Sequence, residues 1–218
     1  MTRANERSAG DRIDVPLRLN ELLRQAGEQE LDPEVAGRFQ TYLDLLMRWN
    51  ARFNLTAIRD EESILSRHFA ESIACARAIP EGVRTLLDFG SGAGFPGIPI
   101  ALCRPEIAVT LAESQTKKAA FLREALRRLG VSAEVHAQRA ETLRERFDCV
   151  AMRAVDRMEK AVAAGTGLVG PHGWLALMTT DGELLKLQGA VGPDFEWKRI
   201  VRLSLSEDGV VALGARVR

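Results

Sequence analysis

The sequence lacks the features that would place it in several large classes. No apolar run approaches the roughly 20 residues of a membrane span. Only three cysteines occur, Cys75, Cys103 and Cys149, far apart and each among apolar neighbours. Neither a disulfide framework nor a CxxC metal pattern can be drawn from them, so reduced, buried thiols in a cytoplasmic protein are expected. Net charge is zero, which removes any overall electrostatic pull toward nucleic acid. No internal repeat and no low-complexity linker divides the 218 residues, which suits one large domain with a modest appendage. Residues 1–14 are polar and mixed in charge, without the apolar centre of a signal peptide, and are expected to form a disordered tail.

What is present is an ordinary globular composition, 46% hydrophobic and 28% charged, with an uneven charge distribution. Between 114 and 157, ten cations (Arg123, Arg128 and Arg139 among them) face six acids. Only five of the thirty cations are lysine. Arginine suits bidentate phosphate contacts and stacking, although GC-rich codons produce the same bias.

Apolar periodicity predicts helices throughout 15–80: one from Leu17 to Gly27, a second opened by Asp32-Pro33 and running to Asn50, a third over 61–79. From 84 the period changes. Strands are expected at 84–89, 107–112, 133–137, 147–152 and 174–179, separated by helices at 96–104, 117–129, 156–169 and 181–190. A turn is expected at Gly170–Gly173. Two last strands, 195–204 and 209–217, are joined by a short turn and can pair antiparallel. Alternating strand and helix means a doubly wound parallel sheet. A dinucleotide-binding Rossmann sheet has no closing hairpin, whereas the class I methyltransferase sheet does. The expected fold is therefore α/β of that class, seven-stranded, with residues 15–80 as a helical cap on a core of 81–218.

The segment Thr85–Gly97 is the richest in information. An apolar run ends in Asp88, and Gly90, Gly92, Gly94 and Gly97 follow. A strand, a glycine-rich turn and a helix is how α/β proteins grip nucleotide-like cofactors, because glycine lets the backbone approach the ligand. A literal GxGxxG starting at Gly92 leaves NAD open. Asp88, however, suits a cofactor carrying an amine and a sulfonium better than a pyrophosphate. Glu113, after the second strand, is placed to accept from ribose hydroxyls. Ala140 and Glu141 follow the third strand, where the adenine edge lies or where a glutamate simply caps a helix. Arg153 ends the fourth strand, either in the ligand crevice or in a salt bridge.

Asp88-Phe-Gly-Ser-Gly-Ala-Gly-Phe-Pro-Gly-Ile-Pro99 resembles the signature of the ribosomal RNA small subunit methyltransferase G (GidB) family. Trp49-Asn50, Asn54-Leu55-Thr56, Glu113-Ser114, Lys117-Lys118, Arg139-Ala140-Glu141, Phe147-Asp148 and Arg153-Ala154 extend the resemblance over about 40–155. Phe89 and Glu71 depart from the common residues without loss of charge. The resemblance implies an S-adenosyl-L-methionine-dependent enzyme that methylates N7 of guanine 527 in the 530 loop of 16S rRNA. Gly90, Phe95, Ala140, Glu141 and Arg153 would be cofactor contacts, joining Asp88, Gly92, Gly94 and Glu113. The partner would be 16S rRNA or a 30S assembly particle, with no membrane and no metal, the chain acting as a monomer.

Guanine N7 carries no proton at neutral pH, so no catalytic acid or base is expected. His68, His136 and His172 show no metal spacing; His68 is expected to be structural, His136 to lie in a core strand and His172 in a turn. RNA contacts are expected from the arginines around 123–157, Arg123, Arg128 and Arg139 among them, with Arg48, Arg52 and Arg59 as further candidates. Asn54 either lines the substrate opening or caps a helix. The alternatives are a class I methyltransferase for another RNA, a protein or a small molecule, a dinucleotide oxidoreductase, and a non-catalytic RNA-binding module.

Overall fold

The computed structural model describes residues 13–155 and 157–217. The expected disordered tail lies outside these residues for positions 1–12. Asp14, counted in that tail, instead caps the first helix, its carboxylate accepting from the Leu17 N–H. Helix α1 (Val15–Gln25) is followed by α2 (Pro33–Phe53), with Asp32 as N-cap and Pro33 in the first turn. α2 runs three residues past Asn50. Asn54 closes it in the left-handed conformation, φ 48°.

The expected third helix is divided. α3 (Glu61–Ser63) passes into a π-helical segment, Ile64–Ala70, and then into α4 (Glu71–Ala78). Wider turns of this kind frequently occur at functional sites, and this one carries Arg67, His68 and Phe69.

The sheet then alternates with helices as β1 (Thr85–Phe89), α5 (Gly97–Cys103), β2 (Ala108–Ala112), α6 (Thr116–Leu129) and β3 (Ala133–His136). A 3-10 turn at Ala140–Thr142 leads to β4 (Phe147–Arg153), α7 (Met158–Thr166), β5 (Val169–Thr180), α8 (Asp181–Val191), β6 (Phe195–Arg202) and β7 (Gly209–Arg216). Strand order is β3-β2-β1-β4-β5-β7-β6. The first five strands are parallel, and β7 runs antiparallel between β5 and β6. This is the seven-stranded sheet with a closing hairpin.

Some boundaries move. The expected turn at 170–173 is a bulge inside β5, where Phe147 pairs with Val169 but Cys149 with Trp174. His172 takes φ 57° there. α7 is shorter than 156–169, starting after the left-handed Arg157 and ending before Gly167. Because β3 is an edge strand, His136 is half-buried, not core, and meets Thr142 Oγ1 at 2.8 Å. Cys75 and Cys149 are buried and Cys103 is half-buried.

Two apolar layers cover the sheet. On one face α1, α2, the π-helical segment and α6 supply Leu19, Phe39, Phe69 and Phe121 against Leu86 and Leu111. On the other, α7 and α8 supply Val162 and Leu187 against Leu87 and Leu177. Fully burying such a side chain contributes about 1.5–3 kcal/mol. The carboxyl ends of β1, β2 and β4 are thereby fixed at one edge, where the glycine turn lies.

Candidate functional site

The turn after β1 has two sides. Gly90, Gly92 and Gly94 all have positive φ, at 76°, 57° and 96°. A Cβ on Gly94 would come 2.6 Å from the Tyr42 hydroxyl, and one on Gly97 would fall on Leu111 Cδ2 and 2.6 Å from Asp88 Oδ2. Those glycines are required by packing. A Cβ on Gly92 would meet nothing nearer than 3.9 Å, so this position faces open space.

Asp88 sits on the packed side. It is 0% exposed, and its Oδ2 accepts from the Gly97 N–H at 3.0 Å. Oδ1 has no hydrogen-bond partner. Burial pushes its pKa up to about 7, against the opposing bond from the Gly97 N–H, while the Ser91 hydroxyl donates to the Asp88 backbone carbonyl. The carboxyl therefore holds the end of the turn to the start of α5 and does not line the cleft in front.

Phe95 is also behind the turn. His68 stacks on it at 4.6 Å and 17°, and Tyr42 at 5.4 Å and 26°. The Tyr42 hydroxyl donates to the Ala93 carbonyl at 2.6 Å. His68 Nε2 meets Thr56 Oγ1 at 2.8 Å while its buried Nδ1 is unpartnered. Burial, then Arg153 and Arg67, hold its pKa down to about 3, so the ring is neutral. The helical segment thus clamps the turn through three aromatic rings and a carbonyl.

In front of the turn lies a cleft of about 450 Å³. Gly90, Glu113, Arg139, Ala140 and Glu141 all line it, together with Val155 and Lys160. Glu113 is buried and doubly held: Oε2 accepts from Gly92 N–H at 3.0 Å, Oε1 from Gln115 N–H at 2.7 Å. Each oxygen keeps a second lone pair for a hydroxyl donor in the cleft. Ala140, Phe89 and Ala112 belong to one apolar cluster and line the cleft together, giving an apolar floor. A Cβ on Gly90 would press on Val155 at 3.2 Å, so a side chain there would narrow the cleft. An apolar floor, a bare glycine edge and a fixed carboxylate fit a nucleoside.

Arg153 opens onto a different cleft, of about 440 Å³, shared with Arg67, Met158 and Thr179. Its guanidinium donates to Glu71 Oε2 at 2.7 Å and to the Arg67 carbonyl at 2.5 Å. The two side chains are 15% and 8% exposed. Burial lowers the Arg153 pKa, and burial raises that of Glu71 against the pull of Arg153. This buried ion pair joins β4 to α4, which sequence spacing alone does not reveal.

The expected RNA residues do not converge. Arg123 and Arg128 lie exposed on α6, and Arg139 borders the first cleft. Asn54 caps α2 and its Oδ1 accepts from Arg59 at 2.6 Å.

A sequence model of the family described as rRNA small subunit methyltransferase G (GidB) matches residues 36–189. The chain belongs to this family. The ribosomal RNA small subunit methyltransferase G of Xanthomonas campestris pv. campestris (strain B100) is 44% identical over 153 residues, 69% of this chain and 71% of that one. The Stenotrophomonas maltophilia protein of the same name is 44% identical over 151 residues, 68% and 70% of the two chains. Solved structures share the fold at low identity. An O-methyltransferase from Bacillus cereus in complex with SAH has a TM-score of 0.59 at 17% identity, covering 81% of this chain and 91% of that one. The ribosomal protein L11 methylase from Lactobacillus delbrueckii subsp. bulgaricus has a TM-score of 0.59 at 11% identity, covering 70% and 79%.

Proposed function

We propose that this methyltransferase G family member methylates N7 of guanine 527 in the 530 loop of 16S rRNA, with its cofactor seated in the cleft beside Gly90. S-adenosylmethionine is the methyl donor in this reading, supplying an electrophilic methyl on a sulfonium. The observation that carries the reading is Glu113, a buried carboxylate oriented by two backbone amides at the wall of a nucleoside-sized cleft. It accepts from the ribose hydroxyls, while Gly90, Gly92, Ala140 and Glu141 touch the cofactor. Asp88, Gly94, Phe95 and Arg153 act one step back. Asp88 ties the turn to α5, Phe95 is gripped by His68 and Tyr42, and Arg153 with Glu71 fixes β4 against the helical segment.

Guanine N7 offers an in-plane lone pair and carries no proton, so no side chain removes one. The chain's contribution is orientation: a clamped turn and a fixed β4 hold the reacting groups in line. Arg123, Arg128 and Arg139 hold RNA phosphates, with binding that weakens as salt rises. Residues 15–80 serve as a cap on the core 81–218. The partner is 16S rRNA or a 30S assembly particle, and the chain acts as a cytoplasmic monomer. No helix among the described residues is long and apolar enough to cross a membrane.

Mass spectrometry of 16S rRNA from cells with and without this chain tests the reading. Loss of a single N7-methylguanosine at position 527 is expected; an unchanged modification pattern rejects it.

A further inference from the structure

A third groove, of about 550 Å³, lies between the C-terminal part of α2 and α6 and contains none of the residues placed above at the cofactor. Arg48, Trp49, Arg52, Phe53 and Glu124 line it. Phe53 is 40% exposed, unusual for a phenylalanine at a helix end. Its ring is buttressed by Trp49, with centroids 5.2 Å apart and planes at 47°. Lys117 Nζ stands 5.1 Å from the ring centroid.

Three cations, Arg48, Arg52 and Lys117, stand around the ring against one acid, Glu124. Glu124 is the lining acid, and its Oε2 is taken by the Trp49 Nε1–H at 3.0 Å. Arg48 donates only to the carbonyl of Asp44, at 3.3 Å. None of Arg48, Arg52 and Lys117 forms an ion pair with another described residue. Gln115 lines the cofactor cleft and Lys117 follows two residues later, so groove and cleft are neighbours.

We propose that this groove holds one unpaired nucleotide of the RNA, its base stacked on Phe53 and its flanking phosphates on Arg48, Arg52 and Lys117. The bound nucleotide is not the methyl acceptor; it anchors the strand beside it. An aromatic platform with cations in excess around it is what single strands require, and stacking tolerates any base. A protein partner would demand a broader apolar surface, whereas Leu45, also in the lining, is itself buried. The inference rests on the RNA-substrate reading above.

The test uses the full chain with Phe53→Leu, Phe53→Tyr and Arg52→Glu. Affinity for a short single-stranded RNA is read by fluorescence anisotropy, and KM and kcat are read on 30S particles from cells lacking this chain. Phe53→Leu is expected to weaken RNA binding about tenfold, with Phe53→Tyr close to wild type. Arg52→Glu is expected to weaken it and lower the salt slope by about one. S-adenosylhomocysteine affinity and melting temperature are expected to stay unchanged. Wild-type affinity in Phe53→Leu overturns the proposal, as does a Phe53→Tyr as weak as Phe53→Leu. So does a loss confined to 30S particles with RNA binding intact, which would mean a protein contact. If the wild type methylates RNA and Phe53→Leu does too with equal KM, the groove alone is rejected. If the wild type methylates no RNA yet Phe53→Leu loses binding, the acceptor reading fails and the groove stands.

Discussion

The two sides of the glycine turn carry the same residue type for opposite reasons. On the side facing α5, Gly94 and Gly97 are glycine because a Cβ would collide with Tyr42, Ile98, Leu111 or Asp88. On the other side, Gly92 has empty space where a Cβ would go, with only its φ of 57° demanding glycine, and its N–H is held by Glu113 of the cleft wall. The packed side is a structural joint and the open side is a place left for a ligand. One motif therefore holds two separable functions, and substitutions can pull them apart.

The largest effect is expected on the packed side. Gly97→Ala forces a methyl onto Leu111 and Asp88 in a core with no room, an overpacking cost of about 3 kcal/mol or more. Thermal unfolding should fall by about 6 °C or more. A variant melting with the wild type would mean that the joint is soft and the comparison false.

Asp88→Asn sharpens the same side through pH. The Asp88 carboxyl, raised to about 7 by burial, favours the folded state below its unfolded value near 3.8. That contribution disappears as pH climbs through about 7, where folding must bury a charge. His68 works in the opposite sense, since its neutral ring costs stability as pH falls from 6.5 toward 3. An asparagine keeps an oxygen for the Gly97 N–H and never ionises. The melting temperature of cofactor-free Asp88→Asn, relative to wild type, should therefore rise by about 5 °C or more between pH 4 and pH 8. A constant difference across that range would show that Asp88 titrates normally.

Gly92→Ala probes the open side. Left-handed backbone costs a non-glycine residue about 1 kcal/mol, so melting should drop by only a few degrees. Affinity for S-adenosylhomocysteine, measured by calorimetry, should fall about tenfold or more because the methyl enters the ligand's space. Equal, small losses in both quantities would deny Gly92 a ligand contact. The smallest effect belongs farthest from the turn. Arg128→Glu on α6 should weaken RNA binding several-fold with a shallower salt dependence, leaving cofactor affinity intact. Unchanged RNA binding in both Arg123→Glu and Arg128→Glu would remove the basic face from the account.

The parts of this molecule legible in the sequence are those written locally. The β1 turn, the helix expected at 117–129 and the antiparallel β6–β7 pair follow from residues adjacent in the chain. Gly90, Glu113, Ala140 and Glu141 follow successive strands and line one cleft, because a parallel sheet brings its carboxyl ends together. What the sequence hid is long-range. Glu71 meets Arg153 across 82 positions, and Tyr42 reaches Ala93 across 51. No periodicity encodes such meetings. The π-helical segment at 64–70 was equally hidden, since Ile64, Leu65 and Phe69 fit an ordinary helical stripe. Asp88 shows the limit most plainly: a carboxylate at a strand end reads as a ligand contact, yet complete burial gives it to the Gly97 amide.

In the proposed function, the open side of the turn presents a methyl donor to a guanine of 16S rRNA. Its most direct test is transfer of labelled methyl from S-adenosylmethionine by the full chain to 30S particles from cells lacking it, followed by nucleoside analysis. Label is expected in one N7-methylguanosine of 16S rRNA, sharply reduced in Gly92→Ala. Label on protein, on another nucleotide atom, or nowhere would contradict it.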